Sequence, residues 1–339
     1  MVRPVFFDPT GRRRRRTRLI LGALLALLLL GCAVFATTVA NVPVPSPLPI
    51  GYERLAPLPF RAQVTRLKHR IGHFFHAGRV SPPTASPAHP LTVAFYTSWT
   101  DDSTPSLQRH IDSIDWVAPT LLGLDAQGSL VTSDDAPMRR VVANALHRPL
   151  VVPVLQNAAN GVWDGQGTAR LMHDPRRRRV LIGQITDYLS RSGDAGIMFD
   201  FENLPNSSLP DLVSLVKETR AALAPRGKLV SVTMPIDNPL WPARALAQAS
   251  DKLVVMAYDE HWQGGQPGPI ASDAWFAERL GSTLSGIPTD RVIVALGNYG
   301  YDWHGGHADS MTVEEAWLAA RDSGTKPVFV RSAGNAGCS

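Results

Sequence analysis

Asp200 and Glu202 stand two residues apart in Gly196-Ile197-Met198-Phe199-Asp200-Phe201-Glu202-Asn203, an apolar run that ends in acid. Side chains two apart in a β-strand share a face. Both carboxyls therefore project together, and Phe199 and Phe201 turn the other way. Two carboxyls on one face repel, which pushes one toward its protonated form. No cation lies within four residues of Glu202 on either side to relieve this. A carboxylic acid kept neutral near pH 7 serves as a general acid. The plainer reading of the same stretch is a strand end with two solvated acids ahead of a helix, so the surrounding elements must decide.

From Leu91 onward, strand-like and helix-like segments alternate. That alternation predicts βα units and a parallel sheet. The strands are expected at residues 91–96, 116–124, 149–155, 196–202, 229–234, 252–258 and 291–296. Helices are expected between them, one starting at Ser208-Leu209-Pro210-Asp211 with a serine cap. Thr312-Val313-Glu314-Glu315 reads as a capping box for a later helix. Seven units over residues 91–339 predict an α/β fold, a (β/α)8 TIM barrel, for which about 250 residues is typical. The barrel is expected to be incomplete at its eighth strand, because only small and polar residues follow Val328-Phe329-Val330. An open doubly wound sheet is disfavoured, since no glycine-rich phosphate loop follows the first strand.

In such a barrel the C-terminal strand ends form one mouth, where chemistry takes place. Trp99, Asn157, Asp200, Glu202, Tyr258, Asp259, Tyr299 and Trp303 all fall at those ends. Tyr258 would bring a donor hydroxyl to the two acids. The tryptophans and tyrosines offer flat apolar faces of the kind that suit sugar rings, which suggests a glycan cleft. Trp116 and Trp317 read as core.

These residues carry a family resemblance. Gly196 to Glu202 resembles the fourth-strand signature of glycoside hydrolase family 18, the chitinase family, Asp-Gly-x-Asp-x-Asp-x-Glu. Met256-Ala257-Tyr258-Asp259 is similar to that family's Met-x-Tyr-Asp. Gly297-Asn298-Tyr299-Gly300-Tyr301-Asp302-Trp303 is similar to its Tyr-Gly-x-x-Trp segment. Asp-Phe-Glu-Asn and Pro267-Gly268-Pro269-Ile270-Ala271 are similar to the bacterial spore-germination and cell-wall branch. The resemblance implies Glu202 as the acid that protonates the glycosidic oxygen. It implies that the substrate's own 2-acetamido group is the nucleophile, an exception to the two-carboxylate scheme. Asp200 and Tyr258 would hold that group, and Trp99, Asn157, Asp259, Tyr299 and Trp303 would bind sugar. The implied partner is a polysaccharide or oligosaccharide with N-acetylated sugars, without metal or cofactor. The sequence departs from the signature at Ala195 and Met198, where the family has aspartates. That leaves a second reading, a catalytically weak or inactive glycan-binding barrel assisting polysaccharide synthesis, modification or export.

Charge divides the chain. Residues 1–90 hold 13 basic and 2 acidic residues, leaving 21 basic and 27 acidic for the remainder, a net of −6. The globular part therefore gives no basis for nucleic-acid binding. Residues 1–18 are expected to be a basic cytoplasmic segment, with five consecutive arginines at Arg12 to Arg16. Residues 19–40, 22 residues without a charge, are long enough for a transmembrane helix. Arginines before a span stay inside, so the expectation is a single-pass anchor in a bacterial cytoplasmic (inner) membrane with the barrel outside. Cleavage after Ala40 and lipid attachment at Cys32 are the alternatives. Residues 41–90 are proline-rich and read as an extended linker, within which residues 61–76 could form a basic amphipathic helix on the membrane surface. Cys32 and Cys338 suggest neither a disulfide framework nor a metal site.

Overall fold

The computed structural model describes Gly22 and residues 90–337, apart from 101, 160, 161, 305, 306 and 332. The expected span at 19–40, the linker, Cys32 and Cys338 lie outside the described residues, Gly22 excepted. Among the described residues, no helix is long and apolar enough to cross a membrane.

Seven parallel strands form the main path of the sheet in chain order: β1 (Val93–Tyr96), β2 (Trp116–Leu124), β3 (Val154–Gln156), β4 (Gly196–Asp200), β5 (Leu229–Pro235), β6 (Lys252–Met256) and β7 (Val292–Ala295), and two short strands, Leu130–Thr132 (antiparallel) and Leu150–Val151, pair with β2 off that path. Every neighbouring pair along the path is parallel. Parallel neighbours need crossovers, and helices supply them. The main ones are α1 (Ser103–His110), α2 (Ala136–Asn144), α3 (Gly165–His173), α4 (Pro175–Ser192), α5 (Leu209–Leu223), α6 (Ala243–Ala249) and α7 (Asp273–Thr283). The result is a half-barrel parallel sheet clothed by helices, the TIM-like arrangement expected from the alternation.

Side-chain alternation sorts the core into two layers. Ile197, Phe199 and Phe201 from β4 and its end join Val230 and Val232 of β5 and Leu253 and Val255 of β6 in the layer beneath the helices. Met198, with Trp116, Ala118, Val152, Val154, Val254 and Ala295, fills the inner, concave face. Strand β4 is buried along its whole length. An apolar pattern on both faces is what a parallel strand covered on both sides requires.

Two sequence expectations change in detail, and a third holds. The third strand breaks into Leu150–Val151 and Val154–Gln156, with Pro153 at the break and an irregularity in register opposite Thr120 and Leu122. Proline lacks the N–H that a central strand must donate. Helix α5 begins at Leu209, but Ser208 makes no side-chain cap; its hydroxyl donates to the Pro205 carbonyl instead. The capping box at Thr312 and Glu315 forms as expected, and it starts α8 (Val313–Asp322).

The eighth-strand position is open among the described residues. β1 pairs only with β2, and β7 only with β6. After β7 the chain makes an antiparallel hairpin, β8 (Tyr299–His304) and β9 (His307–Thr312), and later a second one, β10 (Val328–Val330) and β11 (Asn335–Gly337). The second hairpin is tied to the loop before α7, where Asp273 N–H donates to Ala333 and the Asn335 amide donates to Ala271. Val328 and Phe329, in the last apolar run of the sequence, are each 60% exposed.

Candidate active site

Register brings the site together. Gln156 of β3 is the partner of Asp200 in β4, and Thr233 of β5 comes one residue after Val232, the partner of Phe199. All three therefore stand at one level on adjacent strands, facing the concave side. Met198, one inward position below Asp200, belongs to the apolar inner layer, so the carboxyl rests on an apolar floor.

Asp200 is 7% exposed, and each of its oxygens has a donor. The Gln156 amide donates to Oδ2 at 2.8 Å, and the Thr233 hydroxyl donates to Oδ1 at 2.8 Å. Burial raises the Asp200 carboxyl above the ordinary aspartate value, and these two bonds oppose the rise.

Glu202 lies just beyond the strand end and is half-buried. Asn157 fixes its backbone from both sides: the Asn157 amide donates to the Glu202 carbonyl, and Glu202 N–H donates to the Asn157 Oδ1, both at 2.9 Å. Gly165 permits the turn that follows, since a Cβ there would lie 1.8 Å from the Asn203 carbonyl oxygen. Asn203 itself takes a left-handed backbone, φ 54°, a conformation asparagine tolerates. Burial first, then the charges of Asp200 and Asp259, push the Glu202 carboxyl up to about 7. That is the value a group shuttling a proton near neutral pH needs. None of the ion pairs among the described residues involves Asp200, Glu202 or Asp259.

Tyr258 follows β6. Burial and then the charges of Asp200, Asp259 and Glu202 hold its phenol protonated well above the usual tyrosine value. It is thus a hydroxyl donor within reach of the acids' field. Asp259 has a left-handed backbone, φ 66°, and accepts hydrogen bonds from the hydroxyls of Tyr299 and Tyr301. Strained backbone of this kind persists where its surroundings fix it. An aromatic ladder leads outward from there. Tyr258 meets Tyr299 edge-on at 5.8 Å, Tyr299 meets Tyr301 at 5.6 Å, and Tyr301 meets Trp303 at 5.3 Å.

The structure therefore brings Asp200, Glu202, Tyr258, Asp259, Tyr299 and Trp303 into one connected group. Asn157, expected to touch sugar, is 2% exposed and bonds the Glu202 backbone with both ends of its amide. Trp99 is 65% exposed, on the loop after β1, and among the described residues no hydrogen bond or ring contact ties it to the acids. Gln156 and Thr233 were not anticipated. Their signal was present as polar residues at the inward, alternating positions of otherwise apolar strands.

No family model matches the chain. It is 23% identical over 260 residues to an uncharacterized glycosylase of Bacillus subtilis, YvbX, which covers 72% of this chain and 74% of that protein. It is 25% identical over 173 residues to the cortical fragment-lytic enzyme of Bacillus anthracis, 48% of this chain and 40% of that protein. Among solved structures, a chitinase from Chromobacterium violaceum superposes with a TM-score of 0.66 over 73% of this chain and 81% of its own, at 21% identity. The chain is similar to glycosylases and to chitinases, and it shares the chitinase fold. It spans less than half the length of several curated relatives, 37% of one and 40% of another.

Proposed function

We propose that this protein is a glycoside hydrolase of the chitinase-like family 18 type and hydrolyses glycans containing N-acetylglucosamine, of the chitin or peptidoglycan kind. The observation that carries the reading is the Glu202 carboxyl held protonated up to about 7 beside the pinned Asp200. In the step we infer, Glu202 donates its proton to the glycosidic oxygen as the bond to the anomeric carbon breaks. The carbonyl oxygen of the substrate's own 2-acetamido group bonds to that carbon. Asp200 accepts the amide N–H and stabilises the positive charge spread over the resulting ring, and Tyr258 donates to the same group. Glu202, now ionised, takes a proton from water, which opens the ring from the face the leaving group had occupied. Configuration is retained. Trp303 and the tyrosines would carry neighbouring sugars on their faces, with Trp99 as a further platform. The names of the relatives, a cortical fragment-lytic enzyme and chitinases, support this substrate class.

The test is mass spectrometry of products from N-acetylglucosamine oligosaccharides and from peptidoglycan, with Glu202→Gln as the control. Product release by wild type and not by the variant is expected. Equal release would sink the assignment of Glu202. The open position between β7 and β1 favours a second reading, a binding barrel of low activity assisting polysaccharide synthesis, modification or export. Oligosaccharide binding without turnover, weakened by Trp303→Ala, would select it.

The same proposal places the barrel, residues 91–339, outside a bacterial cytoplasmic membrane. It would be held by an anchor at 19–40 through a linker at 41–90, with residues 1–18 inside. Sequence pattern alone supports this part. Protease treatment of intact spheroplasts should remove the barrel and spare the N-terminus, whereas protection of the barrel would refute the topology.

A further inference from the structure

Asp200 has no polar neighbour on its own strand beneath it, because Met198 occupies the next inward position. Its partners come instead from the two flanking strands. The Gln156 amide and the Thr233 hydroxyl each meet a different oxygen at 2.8 Å. Both arrive at the level of Asp200 because parallel register puts them there. A carboxylate has about four lone-pair sites, so two remain for a substrate N–H. The titratable groups that feel its charge are Glu202, just beyond the end of the same strand, and Tyr258 after β6; behind them lie Asp259 and its partners Tyr299 and Tyr301 on β8. All are acids or phenols, and among the described residues no lysine, arginine or histidine makes an ion pair or hydrogen bond with Asp200. Hydrogen bonding by neutral donors is therefore what opposes burial and the nearby negative charge.

We propose that Gln156 and Thr233 are positioning residues that hold Asp200 as a stationary, ionised carboxylate beside Glu202, one donor to each oxygen. This deepens the hydrolytic reading and rests on it. The two donors fix both the direction of the carboxylate plane and its charge. With either removed, the buried carboxyl takes up a proton at higher pH and loses its fixed orientation. A protonated Asp200 can neither accept the substrate N–H in the same way nor stabilise positive charge at the reacting sugar.

The decisive experiment is a carbon-13 NMR titration of the Asp200 and Glu202 carboxyls without substrate, in wild type, Gln156→Met, Thr233→Val and Thr233→Ser. Asp200 should titrate about one pH unit higher in Gln156→Met and in Thr233→Val, a tenfold change in its proton affinity. Thr233→Ser, which keeps the hydroxyl, should restore the wild-type value. With substrate, the acid limb of kcat/KM should move upward by the same amount in the first two variants, and the basic limb set by Glu202 should stay. Loss of packing alone would lower the melting temperature and kcat at every pH without moving the Asp200 titration. If Asp200 titrates as in wild type in folded Gln156→Met and Thr233→Val, the proposal is overturned. Should Thr233→Val fail to fold, Gln156→Met decides the matter alone. If the titrations move as expected but wild type cleaves no glycan, the pinning of Asp200 stands and the hydrolytic reading falls.

Discussion

Replacing Glu202 with glutamine should abolish activity and yet stabilise the protein at alkaline pH. The Glu202 carboxyl is raised from its ordinary 4.5 to about 7, by burial first and by the Asp200 and Asp259 charges next. An unfolded chain releases that proton near 4.5, whereas the folded chain keeps it until about 7. Between these values the folded state binds more protons than the unfolded state, so stability falls as pH rises. Above the upper value the loss is complete. Below the lower one both states are protonated and nothing is lost. At about 1.4 kcal/mol per pH unit the upper bound is about 3.5 kcal/mol. Glu202 is only half-buried, and solvent screening leaves about 1–2 kcal/mol. Glutamine keeps the shape and cannot ionise, so it escapes the penalty. For a domain of this size the gain corresponds to about 3–6 °C in melting temperature. The assay is thermal unfolding of wild type and Glu202→Gln at pH 4 and pH 8.5. Equal stability at pH 4 and a more stable variant at pH 8.5 is the expected result, together with a loss of turnover of about 100-fold or more. A variant no more stable than wild type at pH 8.5 would refute the account of Glu202 as an acid held neutral against its surroundings.

Three further outcomes follow from the same geometry. Turnover should fall about tenfold per pH unit above about 7, as Glu202 loses the proton it must donate; a flat profile from pH 7 to 9 would exclude it as the acid. Gly165→Ala places a Cβ 1.8 Å from the Asn203 carbonyl oxygen, so the turn carrying Glu202 must move, and activity should drop more than tenfold; unchanged kcat would show that this turn is not positional. Phe199, fully buried and packed edge-on against Phe201 at 5.5 Å, should cost about 3–5 kcal/mol when cut to alanine, read as a lower urea midpoint, and a loss below 1 kcal/mol would contradict the two-layer core.

The strands were legible because a parallel sheet covered by helices must be written as apolar runs. All seven expected segments contain a strand, and they pair in chain order. What the runs do not encode is how each strand ends. Pro153 interrupts the third strand from within an apolar stretch, because its effect depends on whether a neighbour needs its N–H. Ser208 has the residue type of a helix cap, yet its backbone enters the helical region early, which leaves its hydroxyl free to bond Pro205. The capping box at Thr312 and Glu315 succeeded where Ser208 failed because two reciprocal bonds specify it, not one residue type. Val328-Phe329-Val330 has the composition of a barrel strand, and composition does not say which edge a strand will find.

The acids were legible for a different reason. Alternation alone places Asp200 and Glu202 on one face, and the inner layer containing Met198 shows that face to be the concave one. Asn157 was less legible, because a polar residue at a strand end can face the mouth or turn back to the chain. Only coordinates distinguish a side chain offered to a ligand from one consumed by the Glu202 backbone. Thr233 and Gln156 could have been found by applying the alternation more strictly. In Leu229–Pro235 the odd positions 231 and 233 are polar and the even ones apolar. Since Val230 and Val232 belong under the helices, Ser231 and Thr233 must point inward. A fully covered strand carries an inward hydroxyl at a cost unless something receives it. The Thr233 hydroxyl finds Asp200, whereas Ser231, one inward step deeper, finds no hydrogen-bond partner among the described residues. The polar layer of this half-barrel thus begins at the level of Asp200, and an acid at position 198 would have to sit below it.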